Sequence, residues 1–299
     1  MTLYNARILV TGGTGTLGNA IVRASIAERW KSQITIFSRS EYRQAMMRAQ
    51  YPHLRYILGD VRDYERLQSA LTGHDVVIHA AAMKRLPECE EQPSECLETN
   101  VIGTDNVINA CLIAGVSLCV VVSTDKACRA STAYGASKLL CEALARAAPA
   151  LPTRFVLCRY GNVLASNGSV LPVWAHQAAE GRALTITDSR CTRFWMSERD
   201  AVRVIEQAAR LPHGLCYVPK MSALNIAEMA SMLHPGSDLV ETGLRSLEKL
   251  HEDLIHPDEI AQDCGDHFTL GTGETGHTYS SDMAPRISAV ELRRMIEDC

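Results

Sequence analysis

Tyr134 and Lys138 stand four positions apart in a stretch of helical pattern, Tyr134-Gly-Ala-Ser-Lys138-Leu-Leu-Cys-Glu142. Both therefore project from one helix face, one turn apart. An ammonium close to a phenol lowers the phenol's pKa by favouring the phenolate, and a phenolate can take a proton from a sugar hydroxyl. Upstream, an apolar run from Leu118 to Val122 stops at Ser123-Thr124-Asp125-Lys126. A buried strand would thus deliver four polar side chains at its carboxyl end, where ligands bind in open α/β sheets. A lone Tyr-x-x-x-Lys is commonly an ordinary amphipathic helix. What sets this one apart is the polar strand end before it and the glycine-rich loop that opens the chain.

That loop follows a short buried strand, Arg7 to Thr11, and precedes an amphipathic helix from Asn19 to Arg29. Gly12, Gly15 and Gly18 recur every three residues, the fingerprint of a tight turn that brings backbone and a helix N-terminus against a pyrophosphate. The second strand, Ile34 to Phe37, ends in Ser38-Arg39-Ser40 with Arg43 close behind, where an NAD enzyme usually carries an acid for the ribose 2′-hydroxyl. Arginine suits a 2′-phosphate, so the expected cofactor is NADP in preference to NAD.

The elements that must hold these residues alternate regularly. Strands are expected at Arg55 to Leu58, ending in Gly59-Asp60-Val61, and at Asp75 to His79, running into Ala80-Ala81-Ala82 and then Lys84. Helices are expected over Tyr64 to Leu71 and over Ser94 to Ala114, the latter containing Asn100. A sixth strand covers Arg154 to Cys158 and closes on Arg159-Tyr160-Gly161-Asn162. This pattern predicts an α/β fold with a Rossmann-like, doubly wound parallel sheet over residues 1–160. Residues 161–299 read as a smaller C-terminal substrate-binding lobe, partly interleaved with the first. There a strand is expected over Leu184 to Asp188. Helix caps are expected at Ser197 with Asp200, Asn225 with Glu228, and Ser288 with Glu291. Asp263 to Asp282, rich in Gly, Thr and His, reads as a surface loop or lid.

Composition narrows the classes. The 299 residues are 46% hydrophobic and 21% charged, a globular balance, and the net charge of −4 argues against nucleic acid as partner. Basic sites for anionic ligands must then be local. No apolar run approaches the roughly 18–20 residues of a membrane span, and no signal-peptide layout opens the chain. The eleven cysteines are odd in number, scattered and free of Cys-x-x-Cys pairs, which favours reduced thiols in a cytoplasmic protein over disulfides. The histidines lack ligand spacing, so no metal is expected.

The motifs together resemble the extended short-chain dehydrogenase/reductase superfamily, and within it the soluble inverting UDP-N-acetylglucosamine 4,6-dehydratases of pseudaminic acid synthesis. The resemblance spans nearly the whole chain. It is carried by TGGTGTLG (11–18), SRSEYR (38–43), GDVRD (59–63), HAAAMK (79–84), STDKA (123–127), YGASK (134–138), RYGNV (159–163), GSVLP (168–172), ITDSRCTRFWM (186–196), EKLHE (248–252) and YSSD (279–282). It implies that Tyr134, assisted by Lys138 and Thr124, takes the proton of a sugar 4-hydroxyl while hydride passes from carbon 4 to tightly bound NADP⁺. Lys126 would then remove the proton from carbon 5, Asp125 would help the 6-hydroxyl leave as water, and hydride would return to carbon 6. Lys126 can act so only as the neutral amine, for which burial and nearby Lys138 are expected to depress its pKa. Retaining dehydratases carry Asp-Glu where this chain has Asp125-Lys126.

By the same resemblance, cofactor contacts are expected at Gly12, Thr14, Gly15, Thr16, Leu17, Gly18, Ser38, Arg39, Ser40, Glu41, Tyr42, Arg43, Asp60, Val61, Ala80, Ala81, Asn100, Ser123, Tyr134, Lys138 and Val163. Substrate contacts are expected at Lys84, Asn162, Asn167, Gly168, Ser169, Val170, Thr187, Arg193, Arg245, Tyr279, Ser280, Ser281 and Asp282. A UDP-sugar is the expected partner and a homo-oligomer the expected assembly. The chain departs from its relatives at Ser246-Leu247, where Pro-Gly is common, and at Ser40, where Asp is common. The competing readings are a UDP-sugar 4-epimerase, which needs the Tyr/Lys pair but not Asp125-Lys126, and a non-catalytic NADP-sensing scaffold, which needs neither.

Overall fold

The computed structural model describes residues 3–166 and 169–298. Strands β1 (Arg7–Thr11), β2 (Gln33–Ser38), β3 (Arg55–Leu58), β4 (Val76–His79), β5 (Leu118–Val122) and β6 (Arg154–Cys158) lie side by side in the order β3-β2-β1-β4-β5-β6, all parallel. The runs of Val, Ile and Leu in the inner strands are buried on both faces, as covered parallel strands require, while Leu58 at the end of the edge strand β3 is exposed. The order reverses between β1 and β4, which opens a crevice at their carboxyl ends. Helices α1 (Thr16–Ala27), α2 (Glu41–Gln50), α3 (Tyr64–Leu71), α4 (Gly103–Ala114) and α5 (Ala133–Ala147) provide crossovers.

Past Tyr160 the chain returns to this sheet three times. β7 (Cys216–Pro219) extends it in parallel beside β6, and β8 (Ala261–Asp263) and β9 (His267–Leu270) complete its edge, with β9 antiparallel to both neighbours. The stretch read as a surface loop from Asp263 thus contains a sheet strand. Phe268 and Leu270 are buried and His267 stacks on Tyr217, packing that the Gly-rich composition concealed. A second core, built around Trp174, Trp195, Leu224 and Leu292, holds part of the C-terminal region. All three expected caps form, with Ser197 and Asp200 making a reciprocal capping box at the start of α6 (Glu198–Ala208).

The helix expected from Ser94 to Ala114 is interrupted. Pro93–Leu97 passes through a π-type turn, Glu98–Ile102, before α4 begins. Within that turn the Asn100 carbonyl accepts the Thr104 hydroxyl and the Cys141 thiol, side-chain donors that intrude on the regular ladder.

The end of β6 is fixed by Arg159, which is fully buried. Its five N–H groups donate to Glu142 of α5 (3.0 and 2.7 Å), to Glu259 (2.9 and 2.7 Å) and to the Leu254 carbonyl (2.9 Å). Glu142 also accepts Ser123 Oγ at 2.6 Å, which ties in the end of β5. Burial opposes the charge on Glu142, yet Arg159 outweighs it and holds the carboxyl at about 2, below its ordinary 4.5. Such a group stabilises the fold fully above pH 4.5, and the contribution disappears as pH falls toward 2. Replacing Glu142 with Gln is expected to cost about 3–5 kcal/mol at pH 7 by leaving Arg159 undercompensated. It should also flatten the loss of stability between pH 4.5 and 2, as read by urea unfolding across that window.

Candidate active site

A cavity of about 790 Å³ opens over the carboxyl ends of β1, β2, β4 and β5 and runs under the C-terminal lobe. One end is the glycine loop. Gly12 takes φ +66° with its Cα packed against the Ala80–Ala81 backbone, where a Cβ would lie 2.8 Å from Ala81 Cα. At Gly18 a Cβ would lie 2.0 Å from the Gly13 carbonyl oxygen, so only glycine lets α1 start this close to the loop. The first turn of α1 has no side-chain cap and no acidic residue, which leaves its positive end suited to an anion. This cradle fits the diphosphate of a dinucleotide.

At the end of β2, Ser38, Arg39, Ser40 and Arg43 line the cavity. Ser40 Oγ accepts the Arg43 N–H and so caps α2, while Arg39 lies 3.6 Å from Asp60, itself clamped by Arg62 at 2.8 Å. Glu41 and Tyr42 point elsewhere, and Tyr42 is exposed. Asn100 is buried behind the wall rather than in it. Its amide bonds Met83 N and O and Ser137 Oγ, stapling the loop after β4 to α5. Gly12, Thr14, Gly15, Thr16, Leu17, Asp60, Val61, Ala80, Ala81, Ser123 and Val163 all border the cavity.

Thr124, Lys126, Tyr134 and Lys138 meet in the middle of the cavity wall. Lys138 Nζ donates to the Val122 carbonyl, which anchors it to the end of β5. Burial raises the Tyr134 phenol above its ordinary range, and the cation that pulls it back is Lys126. The phenol expected to be lowered by Lys138 is thus raised, with Lys126 rather than Lys138 offsetting part of the burial. Lys126 departs from expectation too. Burial disfavours its charge, but Asp125 Oδ1 at 3.0 Å and Glu252 Oε1 at 3.5 Å outweigh burial and hold the ammonium above its ordinary pKa. Two facing carboxylates were not legible from the sequence, since Glu252 lies far along the chain in a loop. Asp125 is fully buried and reaches the cavity only through Thr124, whose hydroxyl donates to Oδ1 at 2.8 Å, and through Lys126.

The remaining wall comes from the C-terminal lobe and the loop after β4. Lys84, Asn162, Ser169, Val170, Thr187, Arg193 and Arg245 border the cavity; Asn167 and Gly168 lie outside the described residues. Arg193 is buried, bonding Glu248 at 2.9 Å and the Leu250 carbonyl, whereas Arg245 is exposed. Tyr279, Ser280, Ser281 and Asp282 do not reach this wall. Tyr279 donates to the Met221 carbonyl, and the fully buried Ser281 bonds Thr192 and the Glu252 N–H, so the segment supports the site from behind. Trp195, Glu248 and Arg85 line the cavity without having been singled out. Eight Lys and Arg against three Asp and Glu border it, a local positive field in a chain of net charge −4. Among the described residues no cluster of three or more His, Cys, Asp or Glu could hold a metal. No helix there is long and apolar enough to cross a membrane. Among the described residues nine buried cysteines and the exposed Cys264 are free.

Residues 8–269 match the family model described as polysaccharide biosynthesis protein. Over 266 residues the chain is 43% identical to the inverting UDP-N-acetylglucosamine 4,6-dehydratase of Campylobacter jejuni, covering 86% of this chain and 80% of that protein. It is 39% identical over 280 residues to a UDP-glucose 4-epimerase of Rickettsia conorii, covering 88% and 82%. The crystal structure of DesIV, a dTDP-glucose 4,6-dehydratase from Streptomyces venezuelae with NAD bound, superposes with a TM-score of 0.72 at 25% identity, covering 82% of this chain and 86% of that one.

The packing at Gly18 gives a direct test of the cradle. Gly18→Ala must push α1 off the loop, costing about 1–3 kcal/mol and weakening dinucleotide binding. Calorimetric titration and thermal unfolding of the variant should show both losses, and an unchanged affinity would contradict the placement.

Proposed function

The chain belongs to the polysaccharide biosynthesis protein family, and from that footing we propose a nucleotide-sugar 4,6-dehydratase acting on UDP-N-acetylglucosamine with inversion at carbon 5. The observation that carries the reading is the Asp125–Lys126 ion pair at the end of β5, within the same wall as Tyr134. An epimerase needs a phenol and a cofactor. It has no use for a second, buried proton-transfer pair whose burial is costly.

A bound nicotinamide cofactor would supply the hydride acceptor and donor that carbon 4 and carbon 6 need in turn. The chain's own residues do the rest. Tyr134 takes the 4-hydroxyl proton, helped by the Lys126 charge that favours its phenolate. Oxidation at carbon 4 acidifies carbon 5, and among the described residues Lys126 is the only amine in this part of the wall besides Lys138, whose Nζ is anchored to the Val122 carbonyl. Asp125 is sealed from the cavity, so once it has taken up a proton it would pass it to the departing 6-hydroxyl only through Thr124, whose hydroxyl donates to its Oδ1. Lys84, Arg85 and Arg245 offer charge for a diphosphate at the open end. We favour NADP because Arg39 and Arg43 both border the cavity where a ribose 2′-phosphate would lie.

The domain division follows the same logic, with residues 1–160 holding the dinucleotide and 161–299 supplying most of the sugar site. Exposed Ile113 on α4 and Leu139 and Leu140 on α5 support self-association through these helices. Light scattering should then report a dimer or larger, and a monomeric mass would remove that part of the proposal.

NMR of the purified protein with UDP-N-acetylglucosamine in D₂O is expected to show a 4-keto-6-deoxy sugar, inverted and deuterated at carbon 5. Retained configuration would reject the inverting assignment, and a 4-epimer formed without loss of water would favour the epimerase. Lys126→Met should lower dehydration about 10²–10⁴-fold. Arg39→Ala should weaken NADP about 10–100-fold with little change for NAD, since it removes a charge-assisted bond to the extra phosphate.

A further inference from the structure

Lys126 borders two spaces. One is the main cavity; the other is a separate pocket of about 40 Å³ behind it, lined by Ser131, Thr132, Lys249 and Glu252 among others. That volume holds about one water, and Ser131 on its wall is exposed at the surface. Of the two carboxylates facing Lys126, only Glu252 reaches this pocket, since Asp125 borders neither space. Each carboxylate keeps one buried oxygen without a hydrogen bond, Asp125 Oδ2 and Glu252 Oε2, so access to the rear pocket, where Lys249 Nζ lies 3.9 Å from Glu252 Oε2, is what sets Glu252 apart.

Resting on the dehydratase reading, we propose that Glu252 is the proton partner of Lys126, taking the ammonium's proton so that lysine meets carbon 5 as the neutral amine. The Nζ–H bond breaks with its electron pair left on nitrogen, and the proton bonds to Oε1, 3.5 Å away. The amine's lone pair then binds the proton leaving carbon 5, whose C–H electrons become the enolate of the 4-ketone. Glu252 afterwards gives up its proton toward the rear pocket. Glu252 therefore acts through Lys126 and does not touch the sugar.

The surroundings raise the proton affinity of the acceptor, although Asp125 and Glu252 also hold the charge on the Lys126 ammonium. Burial raises the Glu252 carboxyl above its ordinary range and the Asp125 charge adds to that, while Lys126, Arg193 and Lys249 oppose it. A carboxyl that holds a proton readily is a better match for an ammonium that must lose one. The backbone on either side is fixed, because Ser281 Oγ accepts the Glu252 N–H at 2.9 Å and the Ser281 N–H donates to the Glu252 carbonyl at 2.8 Å.

The test begins without substrate. In protein carrying ¹³C-labelled lysine, the Lys126 Cε resonance, assigned by its absence in Lys126→Arg, should step at a midpoint above the ordinary glutamate range. Glu252→Gln should abolish that step, whereas Glu252→Asp should retain one and covers the case in which the Gln variant fails to fold. A step that persists in Glu252→Gln overturns the pairing, whatever the substrate. With UDP-N-acetylglucosamine, Glu252→Gln should lose about 10²-fold in kcat with KM changed less than about threefold. Its pH profile should lose the acidic limb and rise about tenfold per pH unit, because lysine must then deprotonate unaided. Wild-type-like turnover and profile in Glu252→Gln would also overturn it. A wild type that shows the step yet leaves the nucleotide sugar untouched supports the pairing and rejects the dehydratase reading instead.

Discussion

The site depends on one buried guanidinium. Arg159 has no access to solvent, and every one of its N–H groups is taken by Glu142, Glu259 or the Leu254 carbonyl. A charge this deep is tolerable only when its partners are held in place, so it fixes the elements that carry them. Those elements are the helix bearing Tyr134 and Lys138, the end of β5 through Ser123, and the segment that follows Glu252. Three stretches distant in sequence are thereby held in register around the reacting groups.

A second constraint is electrostatic. The chain is acidic overall, yet its cavity is bordered mostly by cations. Arg39, Arg43, Lys84 and Arg245 are exposed and available to an anionic ligand, whereas Lys126 and Arg193 are satisfied by carboxylates within the protein. The division matches the two tasks of the cavity, binding phosphates at its open parts and moving protons at its buried centre. Burial works against ionising Tyr134 and prevails there, with Lys126 offsetting part of it, whereas at Lys126 the Asp125 and Glu252 carboxylates outweigh burial and keep the charge.

Where sequence reasoning failed, the cause was often a partner far along the chain. Lys126 was expected to be pushed toward neutrality by burial and by nearby Lys138. In the fold Lys138 is anchored on the Val122 carbonyl, and Glu252 comes up beside Lys126 from a loop more than a hundred residues away. Asn100 looked like a cofactor contact and is a staple between two elements. Residues Tyr279 to Asp282 looked like sugar contacts and brace Thr192, Met221 and Glu252 from behind. The strand His267–Leu270 was hidden because glycine-rich turns flank it and only its pairing with β7 and β8 makes it a strand.

What the sequence determined by itself was everything set by local chemistry. The glycine spacing, the alternation of apolar strands with amphipathic helices, the capping pairs at Ser197, Asn225 and Ser288, and the polar cluster closing β5 each carry their own short-range signal. Together they were enough to define a doubly wound sheet and the strand ends where a ligand belongs. Tertiary structure alone decided which carboxylates face Lys126, which arginines are spent inside the protein, and which side chains of a motif reach the cavity or stand behind it. Protonation depends on charges within a few ångströms, and the chain brings those charges together only after it has folded.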